Sequence, residues 1–283
     1  MTFRRVVLTV VGLAVATLSL ASAQQRPAAV SAVRLYVFEN GSIKGLDPKL
    51  FNFTREELKE VDFTNASYLI VHPKGTLMFD AGAVPDSHFK GDAPVTEGIM
   101  SATKPLLPQL AAAGYAPADI TFFAMSHYHS DHTANANEFA KATWIVQKAE
   151  RDFMFADKPQ GIIQPTHYNA LRNAKTKLLD NEDFDVFGDG TVVVKSAPGH
   201  TPGHQVLFVK LAKRRPVLLA GDLYHYPEER TTGRVPTFEF NVDQSKASRQ
   251  KIEDFIKQAG ADLWIEHDVA THAALPRAPN YVE

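Results

Sequence analysis

Cysteine is absent from all 283 residues. Its absence removes disulfide staples, thiol nucleophiles and thiolate ligands together. Stability must therefore come from core burial, helped by any bound metal, and such a metal must be held by imidazole and carboxylate. A charge excess is also missing: 30 Lys+Arg stand against 32 Asp+Glu, a formal net charge of -2. With the basic residues scattered and no basic stripe interleaved with aromatics, nucleic acid is not an expected partner. There is no low-complexity linker and no repeat with a period of 20 to 50 residues, which argues for one compact domain. Past the N-terminus no apolar run is long enough to span a bilayer.

What the chain does contain is 45% hydrophobic and 22% charged residues, an ordinary balance for a globular protein with a substantial core. Its start, "MTFRRVVLTVVGLAVATLSLASAQQ", has a basic Arg4-Arg5 pair, an apolar run from Val6 to Leu20, and small residues Ala21 and Ala23 before Gln24. This is the layout of a cleavable secretory signal. The run falls short of the ~20 residues of a membrane anchor. Residues 1–23 are thus expected to be a signal peptide, and residues 24–283 a mature domain, soluble in the periplasm or secreted, with no stable membrane insertion.

Strand and helix signals alternate along the mature chain. Strands are expected at Val33 to Phe38, Ser67 to Val71, Thr76 to Phe79, Ile120 to Ser126, Thr143 to Val146, Thr191 to Ser196, Gln205 to Leu211, Pro216 to Ala220 and Asp262 to Ile265. Helices are expected at Ser101 to Ala113, closed by Gly114, at Asn135 to Lys141, and at Gln244 to Gln258, ended by Gly260. The interleaving gives an α/β or α+β class, with sheets covered by helices.

Against 11 histidines in the whole chain, three fall in the stretch "FFAMSHYHSDHTAN". His127 and His129 are two apart in an extended turn after an apolar strand and can point the same way. Asp131 and His132 follow where the chain turns into a helix expected near Ala134. An imidazole pair beside a carboxylate and imidazole pair offers the ligands that two neighbouring zinc ions need. A lone histidine there would be read as a solvated loop residue; three with an aspartate at this spacing are not. Completing two sites needs ligands from other strand ends. The segments "SAPGHTPGHQVLFV", "PVLLAGDLYHY" and "ADLWIEHDVA" supply His200, Asp222 and His267. His204, in the "TPGH" turn, is read as structural.

This ordered set resembles the dinuclear metal-site pattern of the metallo-β-lactamase-fold superfamily across nearly the whole mature chain. The resemblance implies an αββα sandwich with two zinc ions at one edge. It implies that His127, His129 and His200 hold the first ion and Asp131, His132 and His267 the second, with Asp222 bridging and Asp80, in "TLMFDAGA", beneath the site. A water shared by the ions should have its pKa lowered to near 7, giving a hydroxide nucleophile for metal-assisted hydrolysis. Asp222 speaks against β-lactamases proper, which generally have cysteine or serine there. "TPGHQVLFV", "GDLYHY" and "EHD" look most like the N-acyl-homoserine lactonase group, so the expected activity is opening of a lactone ring, that of N-acyl-homoserine lactones; hydrolysis of other esters or organophosphates is the alternative, ahead of β-lactams, and a catalytically silent binding module is disfavoured by the intact ligand set. That group commonly has a tyrosine three residues after the bridging aspartate to hydrogen-bond the lactone carbonyl. Here the position is His225, so His225 or Tyr224, with Tyr226 as a further candidate, is expected to take that role beside Asp131 and Asp222. Phe63, Phe153, Met154, Phe155, Ile162 and Ile163 are candidates for lining an acyl groove.

Overall fold

The computed structural model describes residues 29–158 and 161–283; the expected signal peptide lies outside the described residues. The chain opens with β1 (Arg34–Ile43), β2 (Phe63–His72) and β3 (Gly75–Phe79), an antiparallel meander, and then makes a hairpin of β4 (Val95–Glu97) and β5 (Met100–Ala102). Next come α1 (Leu106–Ala112), β6 (Phe122–Ala124), α2 (Ser130–Thr133), β7 (Thr143–Gln147), α3 (Lys148–Met154) and β8 (Thr176–Leu179). The second half holds β9 (Phe184–Asp185), β10 (Val192–Ser196), β11 (Gln205–Val209), β12 (Val217–Leu219), α4 (Pro227–Thr232), α5 (Val242–Ala259), β13 (Asp262–Trp264), α6 (Val269–Ala273) and β14 (Tyr281–Val282).

Among the described residues these strands form two sheets. The first has the order β4-β5-β1-β2-β3-β6-β7-β8, with β14 on the same edge of β1 as β5; the second is β13-β12-β11-β10-β9. Residues along the central strands alternate between two buried layers, so the strands read as continuous apolar runs. Leu35, Val37, Tyr68, Ile70, Leu77 and Phe79 point inward and meet Val194, Leu207, Val209 and Leu219 of the second sheet. Their neighbours Tyr36, Phe38, Leu69, Val71 and Met78 point outward against Leu106 and Leu110 of α1 and Met154 of α3. On the other outer face Val206, Phe208 and Leu218 pack under Ile252 and Ile256 of α5. The layers are therefore helix, sheet, sheet, helix: the αββα sandwich expected from the resemblance.

Helix α5 shows how sequence sets a boundary. Asn241 accepts a hydrogen bond from the Gln244 backbone at 3.0 Å as N-cap, and its buried positions Ser245, Ser248, Arg249, Ile252 and Ile256 recur at helical spacing. The expected helix at Ser101 to Ala113 is wrong at its start. Pro105 disfavours helical backbone in the residue before it, Met100 to Ala102 pair as β5, and α1 begins only at Leu106, where the Asp86 carboxylate accepts the Leu106 and Leu107 N–H groups, each at 2.7 Å. The expected helix at Asn135 to Lys141 is a 3-10 turn, Ala136–Phe139, and the helix expected near Ala134 starts at Ser130. Phe153 and Met154, expected to line a groove, lie in the last turn of α3.

Strand direction decides where the site lies. β3 and β6 are parallel, and so are β12 and β13; β10 runs with β12 because each is antiparallel to β11. The C-terminal ends of β3 and β6 in one sheet, and of β10, β12 and β13 in the other, thus lead into the loops that carry Asp80, His127 to His132, His200, Asp222 and His267.

Candidate metal centre

The sequence-expected ligands converge. The ligand atoms of His127, His129, His200 and Asp222 all lie within 4.8 Å of one another, as do those of Asp131, His132 and His267. Asp222 links the groups. Its Oδ2 is 3.6 Å from His127 Nε2 and 3.3 Å from His200 Nε2, while its Oδ1 is 3.2 Å from His132 Nε2 and 3.1 Å from His267 Nε2. Asp131 Oδ2 reaches the second group only, at 3.3 Å from His132 Nε2 and 3.6 Å from His267 Nε2. His200 Nε2 stands 3.1 Å from His129 Nδ1.

The outward nitrogens of these rings are held by a second set of residues. His127 Nδ1 meets the Ser126 hydroxyl at 3.0 Å, and His200 Nδ1 faces Glu239 Oε1 at 3.4 Å, a carboxylate itself anchored by the Ser245 hydroxyl at 2.6 Å. His267 Nδ1 donates to the Thr64 carbonyl at 2.9 Å. His132 Nδ1 lies between Asp80 Oδ2 at 3.3 Å and Glu266 Oε1 at 3.4 Å. Asp80 sits beneath the centre at φ 60 and accepts the Ser126 N–H at 2.6 Å. Such partners fix ring orientation and raise ligand basicity. Neither Glu239 nor Glu266 was assigned a role from sequence: Glu239 lies outside every motif, while Glu266 is the first residue of the "EHD" motif that delivers His267.

The inward atoms lack what the outward ones have. His127 Nε2, His132 Nε2 and Asp222 Oδ1 are buried without a hydrogen-bond partner, an unfavourable state for polar atoms unless a further group joins them. Burial presses the His127 and His129 pKa values well below the ordinary imidazole range, which keeps these two rings neutral with a lone pair free. At His132 and His200 burial acts the same way but is outweighed by the carboxylates around them, Glu266, Asp131 and Asp222 at the first and Asp222 and Glu239 at the second, and the pKa is raised. Burial also works against a charge on Asp222, yet His267, His132, His127 and His225 around it hold its carboxyl well below the usual range. A cation binding here would displace the protons that the carboxylates favour on His132 and His200. The resulting neutral imidazoles and ionised carboxylates, with lone pairs aimed at shared points, fit divalent cations in two adjacent positions.

Above the cluster opens a pocket enclosing about 530 Å³ of empty space, part of it open to solvent, and lined by Ile43, Leu46, Phe51, Phe63, Ile99, Met100, Ile162 and Phe238 around His129, Asp131, Asp222, His225 and His267. Of the apolar residues expected to line a groove, Phe63 and Ile162 do. Met154 is buried in the core behind the first sheet, with Phe153, Phe155 and Ile163 packed against it. His225 faces the centre, with Nε2 3.2 Å from Asp222 Oδ2 and Nδ1 3.3 Å from Glu229 Oε1. Burial opposes its protonation, but Asp222 and Glu229 outweigh this and push its pKa up to about 10. Tyr224 does not join the site: its hydroxyl donates to Glu253 on α5 at 3.2 Å. The Tyr226 hydroxyl donates to the Val61 carbonyl at 3.0 Å, away from the centre. His204 is structural, as expected.

The chain is similar to known proteins over most of its length. The chain is 30% identical over 261 residues, covering 88% of its own length and 98% of the relative's, to the N-acyl homoserine lactonase AttM of Rhizobium johnstonii. It is 29% identical over 263 residues, 89% of this chain and 99% of the relative, to AttM of Azorhizobium caulinodans. Its fold matches, with a TM-score of 0.74 at 23% identity over 89% of this chain and 100% of the other, the solved structure of an N-acyl homoserine lactone hydrolase with its product N-hexanoyl-L-homoserine bound at the catalytic metal centre. The family model of the metallo-beta-lactamase superfamily matches residues 61–263, spanning the expected ligands from His127 to Asp222, and the chain belongs to that superfamily.

Proposed function

We propose that this chain is a dinuclear zinc lactonase that opens the ring of N-acyl-homoserine lactones. The observation that carries the reading is the division of the two Asp222 oxygens between two imidazole groups on the floor of an apolar pocket. The names of the AttM relatives support the substrate class. His127, His129 and His200 would hold one zinc ion and Asp131, His132 and His267 the other, with Asp222 shared. When bound, the ions supply Lewis acidity toward the carbonyl oxygen and lower the pKa of water at the site to about 7.

The chain's own residues do the rest. Asp222 fixes the spacing of the two ligand groups, and Glu239, Asp80, Glu266 and the Thr64 carbonyl keep the imidazoles aimed. Phe51, Phe63, Phe238 and Ile99 exclude water from one side of the pocket and offer an apolar wall to an acyl chain. His225, which lines the pocket beside Asp222, would offer Nε2 as a hydrogen-bond donor to the lactone carbonyl in the place of the lactonase tyrosine. We also propose that residues 1–23 direct export and are cleaved, placing residues 24–283 in the periplasm or outside the cell; among the described residues no helix is long and apolar enough to cross a membrane. The experiment is metal analysis of zinc-resupplied protein with a panel of a lactone, a simple ester, a phosphotriester and a penicillin. About two zinc ions per chain with lactone opening dominant is the expected result; activity without metal, or a preference for the phosphotriester or penicillin, overturns it.

A further inference from the structure

We propose that Glu150 is a positioning residue that ties together the two loops carrying His127, His129 and His200 and thereby sets how tightly those three hold their cation; the proposal rests on the metal-centre reading above. Glu150 lies in the first turn of α3, outside the ligand motifs, and is only 3% exposed. Its carboxylate accepts hydrogen bonds from both loops. Oε1 takes the Tyr128 N–H at 2.8 Å, and Tyr128 stands between His127 and His129. The Thr201 hydroxyl, one residue after His200, lies 3.0 Å from Oε1 and 2.8 Å from Oε2, and Oε2 takes the Gly203 N–H at 2.8 Å.

A buried carboxylate is unfavourable unless its oxygens are fully engaged, and an apolar side chain would fill the same space without that cost. What the carboxylate adds is geometry: one rigid group accepts from backbone on each side of the ligand set. Gly203 permits the close approach, since a Cβ there would fall 2.6 Å from the Glu150 nitrogen and 2.7 Å from its Cβ. Glutamine cannot replace it, because an amide offers one oxygen, and its NH2 would confront either the Tyr128 or the Gly203 N–H. Second partners that orient metal ligands typically change metal affinity 10- to 100-fold when lost. Here the partner acts through the backbone of the ligand loops instead of through a ring nitrogen.

The test titrates metal-free protein with cobalt(II) against a competing chelator, following the visible cobalt absorption, for the wild type, Glu150→Gln, Thr201→Val and Met154→Ala. Met154 is on the same helix and buried in the core, so its variant is destabilised while every Glu150 hydrogen bond to the two loops is kept. The expected result is cobalt binding about tenfold or more weaker in Glu150→Gln with an altered absorption band, a smaller loss in Thr201→Val, and wild-type affinity and band in Met154→Ala. Should Glu150→Gln fail to fold, Thr201→Val decides. Wild-type affinity and band in Glu150→Gln and Thr201→Val, or an equal loss in Met154→Ala, overturns the proposal while leaving the metal centre standing. No binding by the wild type overturns the centre itself.

Discussion

His204 Nε2 accepts the backbone N–H of Asp222 at 3.1 Å, while its Nδ1 donates to the Ala197 carbonyl at 3.1 Å. The ring is thus a neutral bridge between the loop after β10 and the residue that spans both ligand groups, and burial pushes its pKa down to about 3. His204→Leu leaves two buried polar groups unpaired, at about 1–3 kcal/mol each. Unfolding by denaturant should show a loss of about 2 kcal/mol or more, with turnover reduced further because Asp222 loses its anchor. An unchanged midpoint and turnover would remove His204 from the support of the site.

His225 and its two tyrosine neighbours separate cleanly by position. His225→Ala should lower lactone turnover by about 2 kcal/mol or more in transition-state terms, the size of one lost carbonyl donor. Tyr224→Phe and Tyr226→Phe, whose hydroxyls are bonded to Glu253 and Val61, should leave kcat within about threefold of wild type. Steady-state kinetics on one lactone checks all three; a larger loss in Tyr224→Phe than in His225→Ala contradicts the assignment.

The pocket wall should act on binding more than on chemistry. Phe238 lines the mouth and is 36% exposed. Phe238→Ala should raise KM for a long-chain acyl-homoserine lactone by a factor of about ten, on the scale of 1.5–3 kcal/mol for a buried apolar side chain, and change KM for a short-chain substrate much less. Equal changes for both chain lengths would place the acyl chain elsewhere.

Stability should fall as pH drops because of His272. Burial, with Arg277 adding to it, holds its pKa down at about 3, against an ordinary value of 6.5, and its Nε2 faces the Tyr68 hydroxyl at 3.3 Å. Between those values the unfolded chain binds a proton that the folded chain does not, so this contribution is present above pH 6.5 and lost progressively toward pH 3. The slope is at most about 1.4 kcal/mol per pH unit. Chemical unfolding between pH 7 and 5 should show a smaller pH slope for His272→Gln than for the wild type; identical slopes would mean that the folded protein takes up the proton.

Sequence made the metal centre legible because the ligands follow the ends of four apolar strands, four of them after β6 and one each after β10, β12 and β13, a local signal that survives without knowing how strands pair. The strands themselves implied only sheets covered by helices; the αββα sandwich came from the resemblance carried by the ligand pattern. The pocket wall was not legible. Ile43, Phe51, Ile99 and Phe238 come from segments far apart in sequence and meet only through pairing of β1 with β5 and packing of the loops around Phe51. Phe153 and Phe155 misled because the last turn of α3 and the residue that caps it pack them against the core. At Tyr224, His225 and Tyr226 the backbone is extended at both tyrosines, so alternate side chains diverge: a period of two would have separated His225 from them.

Asp222 is the residue whose removal tests the metal centre most directly. Purified mature protein loaded with zinc should open an N-acyl-homoserine lactone, seen as the mass gain of one water. Asp222→Ala should lose that turnover by orders of magnitude and hold fewer zinc ions per chain than the wild type. Near-normal ring opening by Asp222→Ala with its full complement of zinc would show that Asp222 does not join the two ligand groups.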